Sequence, residues 1–238
     1  MLENITRRLG FAAILLGLVS LALLALSVWG YRAGGWPWPQ AYDIAGWGVW
    51  TALAGVVAAL VTLAGAVRKR RGASIALIGL ILSLPVAGLG VAFEIAARTT
   101  PPINDISTDT EDPPVYWFTA TPTDYPAQNA EPQRSAYPDV RPLDLPIPVE
   151  DAFAEALTLV ETHGWEVLSA DPAENQIEAI ARSRVFGFED EVAVRVTDIE
   201  TGSRIDMRSR SRLGQIDRGA NARRIEAFLA ELQAQVTE

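Results

Sequence analysis

The sequence predicts a membrane-embedded α-helical N-terminal part of three transmembrane helices, followed by a soluble α+β domain. Long apolar runs lie within the first 97 residues, charged and uncharged residues alternate strictly from Ser203 to Leu213, and apolar residues recur at helical spacing after Asp217. Alternation is typical of a strand, and the spacing of three and four is typical of a helix. We expect the domain to hold an antiparallel four-stranded sheet with two helices on one face.

The first apolar run, Leu9–Gly30, contains no charged residue in 22 positions. A helix rising about 1.5 Å per residue crosses the roughly 30 Å hydrocarbon core over this length. A cleaved signal peptide is the competing interpretation, because Arg7 and Arg8 precede the run and Ala25-Leu26-Ser27 resembles a cleavage site. The run is longer than the usual signal-peptide core of about 7–15 residues, which favours an uncleaved helix.

Two further apolar runs, residues 44–67 and 73–97, are separated by the basic segment Arg68-Lys69-Arg70-Arg71. Because short cytoplasmic loops are enriched in Lys and Arg, this tip and the Arg7-Arg8 end are both predicted to be cytoplasmic. Three crossings satisfy that arrangement. The prediction is a multi-pass protein of the bacterial inner membrane, with a cytoplasmic N-terminus and a periplasmic C-terminal domain.

The distribution of charge separates the two halves of the chain. Residues 1–98 carry a net charge of +5, whereas residues 99–238 carry −14. An acidic soluble half argues against nucleic acid as a partner, since phosphates require a basic face. Cysteine is absent and His163 is the only histidine, so the sequence has no disulfide framework and no thiol nucleophile.

The predicted organisation is an anchor at residues 1–98, a proline-rich strap at residues 99–148 and a compact α+β domain at residues 149–238. The strap holds eleven of the fifteen prolines, together with five aromatic residues. Flexible linkers contain few aromatics. We therefore expect an ordered, extended segment that lies across the domain, anchored by its aromatic side chains and looser near residues 119–135.

Within the compact domain, periodicity predicts a helix, four strands and a final helix. The first helix opens at Val149 and ends at Gly164, which places His163 at its C-terminus, where a structural role is favoured over catalysis. The carboxylate of Asp217 is expected to accept from free amide groups at the start of the last helix. The predicted strands are residues 165–170, 176–184, 191–199 and 203–213.

The pattern RSxSRxGxxDxGxNAxRIxxFL, from Arg208 to Leu229, resembles the signature of domain-of-unknown-function family 1499, found in bacteria and plastids. The segments PPINDISTDTEDPP and AYPDVRPL resemble its two other blocks, so the resemblance covers residues 101–232. It implies a shared fold but no catalytic or ligand-binding residues. Asn104 stands where the family often has His, which removes a candidate base or metal ligand.

One face of the predicted sheet is rich in arginine. On this face we expect Glu178, Glu191 and Asp206 beside seven candidate ligand-binding residues, which are Arg182, Arg184, Arg195, Arg204, Arg208, Arg210 and Arg212. Guanidinium groups bind carboxylate and phosphate bidentately, so the face is a candidate surface for anions. A solvated face of cross-strand ion pairs is the alternative.

Residues for catalysis, metal binding or cofactor binding are not predicted. Ser209 and Ser211 have no base at a motif spacing, and the acidic run from Asp105 to Asp112 reads as a polar turn rather than a calcium loop. The predicted function is a non-catalytic periplasmic binding or structural domain, which contacts anionic lipid headgroups or envelope proteins through the arginine face. The alternative is a membrane-tethered, hydrolase-like periplasmic enzyme that uses Asp and Ser.

Overall fold

The computed structural model describes residues 2–69, 73–119 and 123–237. The chain forms two compact units, Met1–Ile95 and Ala96–Glu238. The sequence-based boundary between the strap and the compact domain, at residue 148, stays a prediction.

The first unit is helical. It contains α1 (Leu2–Arg32), α2 (Trp38–Lys69) and most of α3 (Ala73–Thr99). Each helix is long and apolar enough to cross a membrane, over Thr6–Arg32, Trp38–Ala66 and Ala73–Thr99. The three predicted apolar helices are therefore present. Residues 70–72, which include part of the basic tip used to predict the orientation, lie outside the described residues.

Small residues allow α1, α2 and α3 to pack closely. A Cβ added at Gly79 would lie 2.8 Å from the Cβ of Ala13, and one added at Gly90 would lie 2.3 Å from a methyl group of Val49. Real Cβ atoms do not approach so closely, so glycine is required at both contacts. This is the packing that small residues permit between membrane helices.

The second unit contains an antiparallel sheet. Its four long strands are β3 (Glu166–Asp171), β4 (Gln176–Arg182), β5 (Glu189–Ile199) and β6 (Gly202–Ser211). All four were predicted, with ends that differ by a few residues. Short strands β1 (Asp105–Ser107) and β2 (Leu143–Leu145) both pair with the outer edge of β6, which gives the order β1-β6-β5-β4-β3.

The sheet has six strands, so the prediction of four was wrong. β1 and β2 are three residues long, too short to show an alternation, and they lie in the proline-rich strap. Their extended conformation is fixed by hydrogen bonds to β6 rather than by local preference. The strap also contains a 3-10 turn at Ala127–Asn129 and helix α4 (Ala130–Ala136), in the part that was predicted to be loose.

The hydrophobic core joins alternate residues of the sheet to α5 (Val149–Thr162) and α6 (Ala220–Thr237). Ile177, Val194 and Met207 stand in register across β4, β5 and β6 and are at most 1% exposed. From the helices, Phe153, Leu159, Ile225 and Phe228 enter the same core. We call this side of the sheet the core face.

The turn before α6 forms as the sequence predicts. The Asp217 carboxylate accepts from the backbone N–H groups of Gly219 and Asn221, both at 2.8 Å. Gly219 has a φ of +75°, a conformation that glycine adopts without strain. Asp217 therefore satisfies donors that the helix itself leaves unpaired.

Candidate functional site

The opposite side of the sheet, which we call the polar face, carries all but one of the charged residues that the sequence singled out. Its side chains belong to alternate positions of three neighbouring strands, so period-two spacing places them together. They are Gln176, Glu178 and Arg182 from β4, Glu191 and Arg195 from β5, and Arg204, Asp206, Arg208 and Arg210 from β6, with Arg212 just beyond it.

Arg208 lies at the centre of the polar face and is buried, with 1% of its side chain exposed. Its Nε and Nη2 atoms donate to the two carboxylate oxygens of Asp105, at 2.9 and 2.7 Å. Nη1 donates to the backbone carbonyls of Pro114 and Thr123. The solvent exposure predicted for Arg208 was therefore wrong, because the strap supplies a carboxylate and two carbonyls directly above it.

Tyr116 of the strap packs against this centre. Its ring centroid lies 4.6 Å from the Cζ atom of Arg208 and 4.8 Å from that of Arg210, a cation–π arrangement. Its hydroxyl donates to the backbone carbonyl of Glu191 at 3.3 Å. Tyr116 is 2% exposed and anchors the strap, whereas Trp117 and Phe118, which were expected to do the same, are exposed.

Glu178 and Gln176 hold the backbone of the strap over β4. The Glu178 carboxylate accepts from the N–H groups of Trp117 and Phe118, at 2.5 and 3.0 Å. Gln176 Nε2 donates to the carbonyl of Val115 at 2.6 Å. Sequence reasoning placed Glu178 on this face only as a counter-charge. No pattern in the chain revealed that it binds backbone about 60 residues earlier.

A row of ion pairs crosses one end of the polar face. Arg182 pairs with Glu166 and Glu189 at 2.7 and 2.8 Å, and Arg212 pairs with Glu189 and Glu191 at 2.5 and 2.9 Å. Arg210 also contacts Glu191. The hydrogen bonds from Arg182, followed by those from Arg212, hold the pKa of Glu189 below its ordinary value.

The remaining arginines also have acidic neighbours. Arg195 contacts Asp112 at 3.1 Å and Asp206 at 3.4 Å, and Arg204 binds Asp144 of β2 through two hydrogen bonds of 2.8 and 3.0 Å. Arg184 is exposed and lies in the loop after β4 rather than in a strand. Six of the seven predicted residues therefore share the polar face, and all six lie within ion-pair distance of a carboxylate.

Exposure divides these arginines into two groups. The side chains of Arg182, Arg204 and Arg212 are 48%, 45% and 36% exposed, whereas those of Arg195, Arg208 and Arg210 are 19% or less. Among these six arginines, only the side chains of the first group are substantially exposed to solvent.

Buried groups on the polar face have altered proton affinity. Burial raises the pKa of Asp206, against the lowering effects of a hydrogen bond from Thr108 and the charge of Arg195. Burial, followed by the negative charge of Asp105, raises the pKa of Tyr125 to about 12 and raises the pKa of Tyr116 well above its ordinary value. Both phenols therefore stay protonated at neutral pH and do not act as bases there.

A separate cluster of polar side chains joins the end of β6 to α6. Ser209 donates to Asn221 Oδ1 at 2.8 Å, and Arg224 donates to Ser209, Asn221 and Asp190 at 2.7, 2.5 and 2.5 Å. Asn221 Nδ2 in turn donates to Ser211 Oγ and to the backbone carbonyl of Asn104, both at 3.0 Å. We call Asp190, Ser209, Ser211, Asn221 and Arg224 the signature network.

Asn104, at the position where a histidine was anticipated, bonds to backbone. Its Nδ2 donates to the carbonyls of Gly214 and Ser211, at 2.6 and 3.3 Å. Asn104 therefore fastens the start of β1 to the turn that follows β6. An amide suits this position because it donates twice without carrying a charge.

The described residues offer few groups for proton transfer. Ser209 is fully buried, and its hydroxyl is bonded to Asn221 and Arg224 rather than to a base. His163 lies at the end of α5, 3.0 Å from Glu231 of α6, and its ring packs against Trp165. In the acidic run, Asp109 accepts from the N–H groups of Glu111 and Asp112 in the predicted polar turn, whereas Asp105 lies in β1 and not in that turn. The described part of the chain holds no group of three metal-ligating His, Cys, Asp or Glu residues.

Comparison with known proteins gives one family. The family described as "Protein of unknown function (DUF1499)" matches residues 105–232. The match begins at Asp105, the partner of Arg208, and includes the whole signature network. A search of curated proteins found no match.

Proposed function

Starting from the chain's membership of the DUF1499 family, we propose that it is a multi-pass protein of the bacterial inner membrane with a non-catalytic domain on the periplasmic side. The domain acts as a binding or structural module. In this proposal α5 and α6 lie on one face of the sheet, which is supported by the core that they share with it.

One observation carries the proposal. The polar side chains of the family signature are bonded to one another inside the domain, including Ser209, Asn221 and Arg224. A catalytic group must reach substrate, whereas these groups hold β6, β5 and α6 together. These side chains are hydrogen-bonded to one another, as a structural role demands, because a buried polar group without a partner lowers the stability of the fold.

The variant Asn221→Ala tests the structural role of this network. Its free energy of unfolding should fall by about 1–3 kcal/mol, because Ser209, Arg224 and two further oxygen atoms lose a partner. Amide hydrogen exchange of β6 and α6 in the detergent-solubilised full chain measures this loss. Catalytic residues are often replaced at no cost in stability. An unchanged or more stable Asn221→Ala protein would favour the enzyme.

The location has its own test. Alkaline phosphatase fused after Thr237 is expected to be active, because it folds in the periplasm, and a reporter that works only in the cytoplasm should be silent there. Fusions after Val67 should show the opposite pattern, since the positive-inside tendency places that loop in the cytoplasm. An inverted result contradicts the orientation.

For the predicted anion-binding surface, we propose that Arg182, Arg204 and Arg212 make the contacts with lipid headgroups or acidic envelope proteins, with Arg184 beside them. Their exposed side chains support this role. Arg195, Arg208 and Arg210 instead belong to the interior of the polar face.

Co-purification tests the anion surface. The full chain, solubilised gently, is expected to retain more phosphatidylglycerol relative to phosphatidylethanolamine than the variant Arg204→Gln/Arg212→Gln does. The difference should shrink in high salt, which screens exposed charges. Mass spectrometry of the bound lipids and proteins gives the ratio, and equal ratios for the two chains contradict lipid binding by these arginines.

A further inference from the structure

Two aromatic side chains of the strap are exposed to solvent at the surface of the domain. Trp117 is 47% exposed and Phe118 is 61% exposed, although Tyr116 before them is buried. A single exposed apolar residue is ordinary. Two exposed aromatic rings at adjacent positions offer more apolar area than a single residue does, which suits contact with another apolar phase.

The backbone that carries these two rings is fixed by hydrogen bonds to buried side chains of the sheet. The backbone N–H groups of both residues are bound by the carboxylate of Glu178, a residue that is only 1% exposed. Val115 is held by Gln176, and Tyr116 lies on Arg208. The segment therefore presents Trp117 and Phe118 in a fixed position, so that contact with a partner costs little conformational entropy.

The length of the chain before β1 limits what the rings can reach. The third membrane helix ends at Thr99 and β1 begins at Asp105, which leaves residues 100–104 between them. Five extended residues reach at most about 18 Å. In the proposed membrane arrangement, this short connection keeps the start of β1 close to the bilayer surface, where Trp is enriched because its ring has an apolar body and a polar N–H.

We propose that Trp117 and Phe118 insert into the headgroup region of the bilayer that α3 crosses and hold the domain against that surface. Residues 99–238 carry a net charge of −14, so the net charge of the domain supplies no attraction to anionic lipids, and an apolar contact adds an attachment that does not depend on charge. This goes beyond the proposed function and does not depend on the exposed arginines, because its attraction is apolar and insensitive to salt.

The absence of cysteine permits a direct test on the full chain. Phe118→Cys introduces a single thiol, which is labelled with the environment-sensitive fluorophore NBD, and the protein is placed at one copy per phosphatidylcholine nanodisc. The emission should be blue-shifted, and phosphatidylcholine with a nitroxide near its headgroup should quench it. Thr201→Cys, in the exposed turn between β5 and β6, is the matched control and should be quenched several-fold less.

Three further measurements separate this contact from others. Adding Trp117→Ser to the labelled Phe118→Cys chain should reduce quenching, whereas high salt or the change Arg204→Gln/Arg212→Gln should not. Equal quenching at positions 118 and 201 overturns the proposal. A blue shift that needs two copies per disc overturns it in favour of a second chain, and a loss of quenching in salt overturns it in favour of electrostatic attachment.

A second labelled position and the amide exchange of β6 distinguish a loss of insertion from misfolding. Trp117→Cys, labelled in the same way, reports on the neighbouring ring position and should give the same quenching pattern. Amide exchange of β6 is expected to match that of the parent in every labelled chain, because neither side chain is buried. If both labelled positions remain in water while β6 is protected, the insertion does not occur.

Discussion

The two faces of the sheet are both buried at their centres but are built from opposite chemistry. On β6, Met207 and Arg208 are neighbours that point to opposite sides, and they are 0% and 1% exposed. Met207 joins the apolar core with α5 and α6. Arg208 is enclosed by Asp105, Tyr116 and two carbonyls of the strap.

The difference shows how each face depends on its partners. An apolar side chain is stabilised by leaving water, and many neighbours of suitable shape can accommodate it. A buried guanidinium is stable only if particular oxygen atoms meet it, because an unpaired buried charge is very costly. The core face should therefore tolerate conservative replacement, whereas the polar face should not.

The largest effect is expected for Arg208→Met. Loss of the cation leaves Asp105 buried without its partner, and the free energy of unfolding should fall by about 3–5 kcal/mol. Hydrogen exchange of β5 and β6 amides in the solubilised full chain measures this change. Arg204→Gln is the matched control on the same strand, since its pair with Asp144 is exposed to solvent and its loss should cost far less than the loss of Arg208.

Double replacement sharpens this first prediction. Arg208→Met/Asp105→Leu removes both charges and should recover much of the stability that Arg208→Met loses. If Arg208→Met costs no more than Arg204→Gln does, the charge on the polar face is not buried as the geometry requires.

Met207→Ala tests the core face at the adjacent position. It should cost about 2–5 kcal/mol, because it leaves a cavity among Ile177, Val194 and the helices. Met207→Leu keeps the volume and should cost less than about 1.5 kcal/mol.

Arg208→Lys is the corresponding conservative change on the polar face. Because Lys cannot reproduce the bidentate contact with Asp105, it should be the more costly of the two. Similar losses of stability for Arg208→Lys and Met207→Leu would contradict the expected difference between the two faces.

Glu178→Gln should have an intermediate effect. The amide of Gln offers one oxygen where the carboxylate offers two, so one N–H of Trp117 or Phe118 loses its acceptor. We expect a loss of about 1–3 kcal/mol, with faster amide exchange at residues 115–118 than in α5. Faster exchange spread evenly over the domain would contradict a local role for Glu178.

The smallest effect is the pH dependence of stability, which should have opposite signs at Asp217 and Asp144. Burial raises the pKa of Asp217 above its ordinary value of 3.8, whereas hydrogen bonds from Arg204 lower that of exposed Asp144. The stability contributed by Asp217 is present at low pH and is lost as pH rises through the raised pKa. That of Asp144 is present at neutral pH and is lost as pH falls through the lowered pKa.

Melting temperatures between pH 3 and pH 7 check this. Relative to the parent, Asp217→Asn should become more favourable as pH rises above about 4, whereas Asp144→Asn should become less favourable as pH rises from 3 towards about 4. Asn retains an acceptor for the helix start at position 217, so the slope reports ionisation rather than loss of the cap. Two slopes of the same sign would contradict the assigned pKa directions.

The sequence by itself determined the elements whose residues repeat. Apolar length determined the three membrane helices, alternation determined β3 to β6, and the spacing after Asp217 determined α6 and its cap. The signature from Arg208 to Leu229 also identified the family. Each of these features depends on neighbours within one element, so the local pattern contains the information.

Only the tertiary structure decided what lies on the polar face. Alternation states that Arg208 and Met207 point to opposite sides of β6, but it does not state what packs on either side. The partner of Arg208 is Asp105, 103 residues earlier, in a three-residue strand without a periodic pattern of its own. Because charged residues at alternate positions are usually solvated, the sequence favoured an open surface. The strap encloses it because its carboxylates, carbonyls and Tyr116 meet those charges only after the chain has folded.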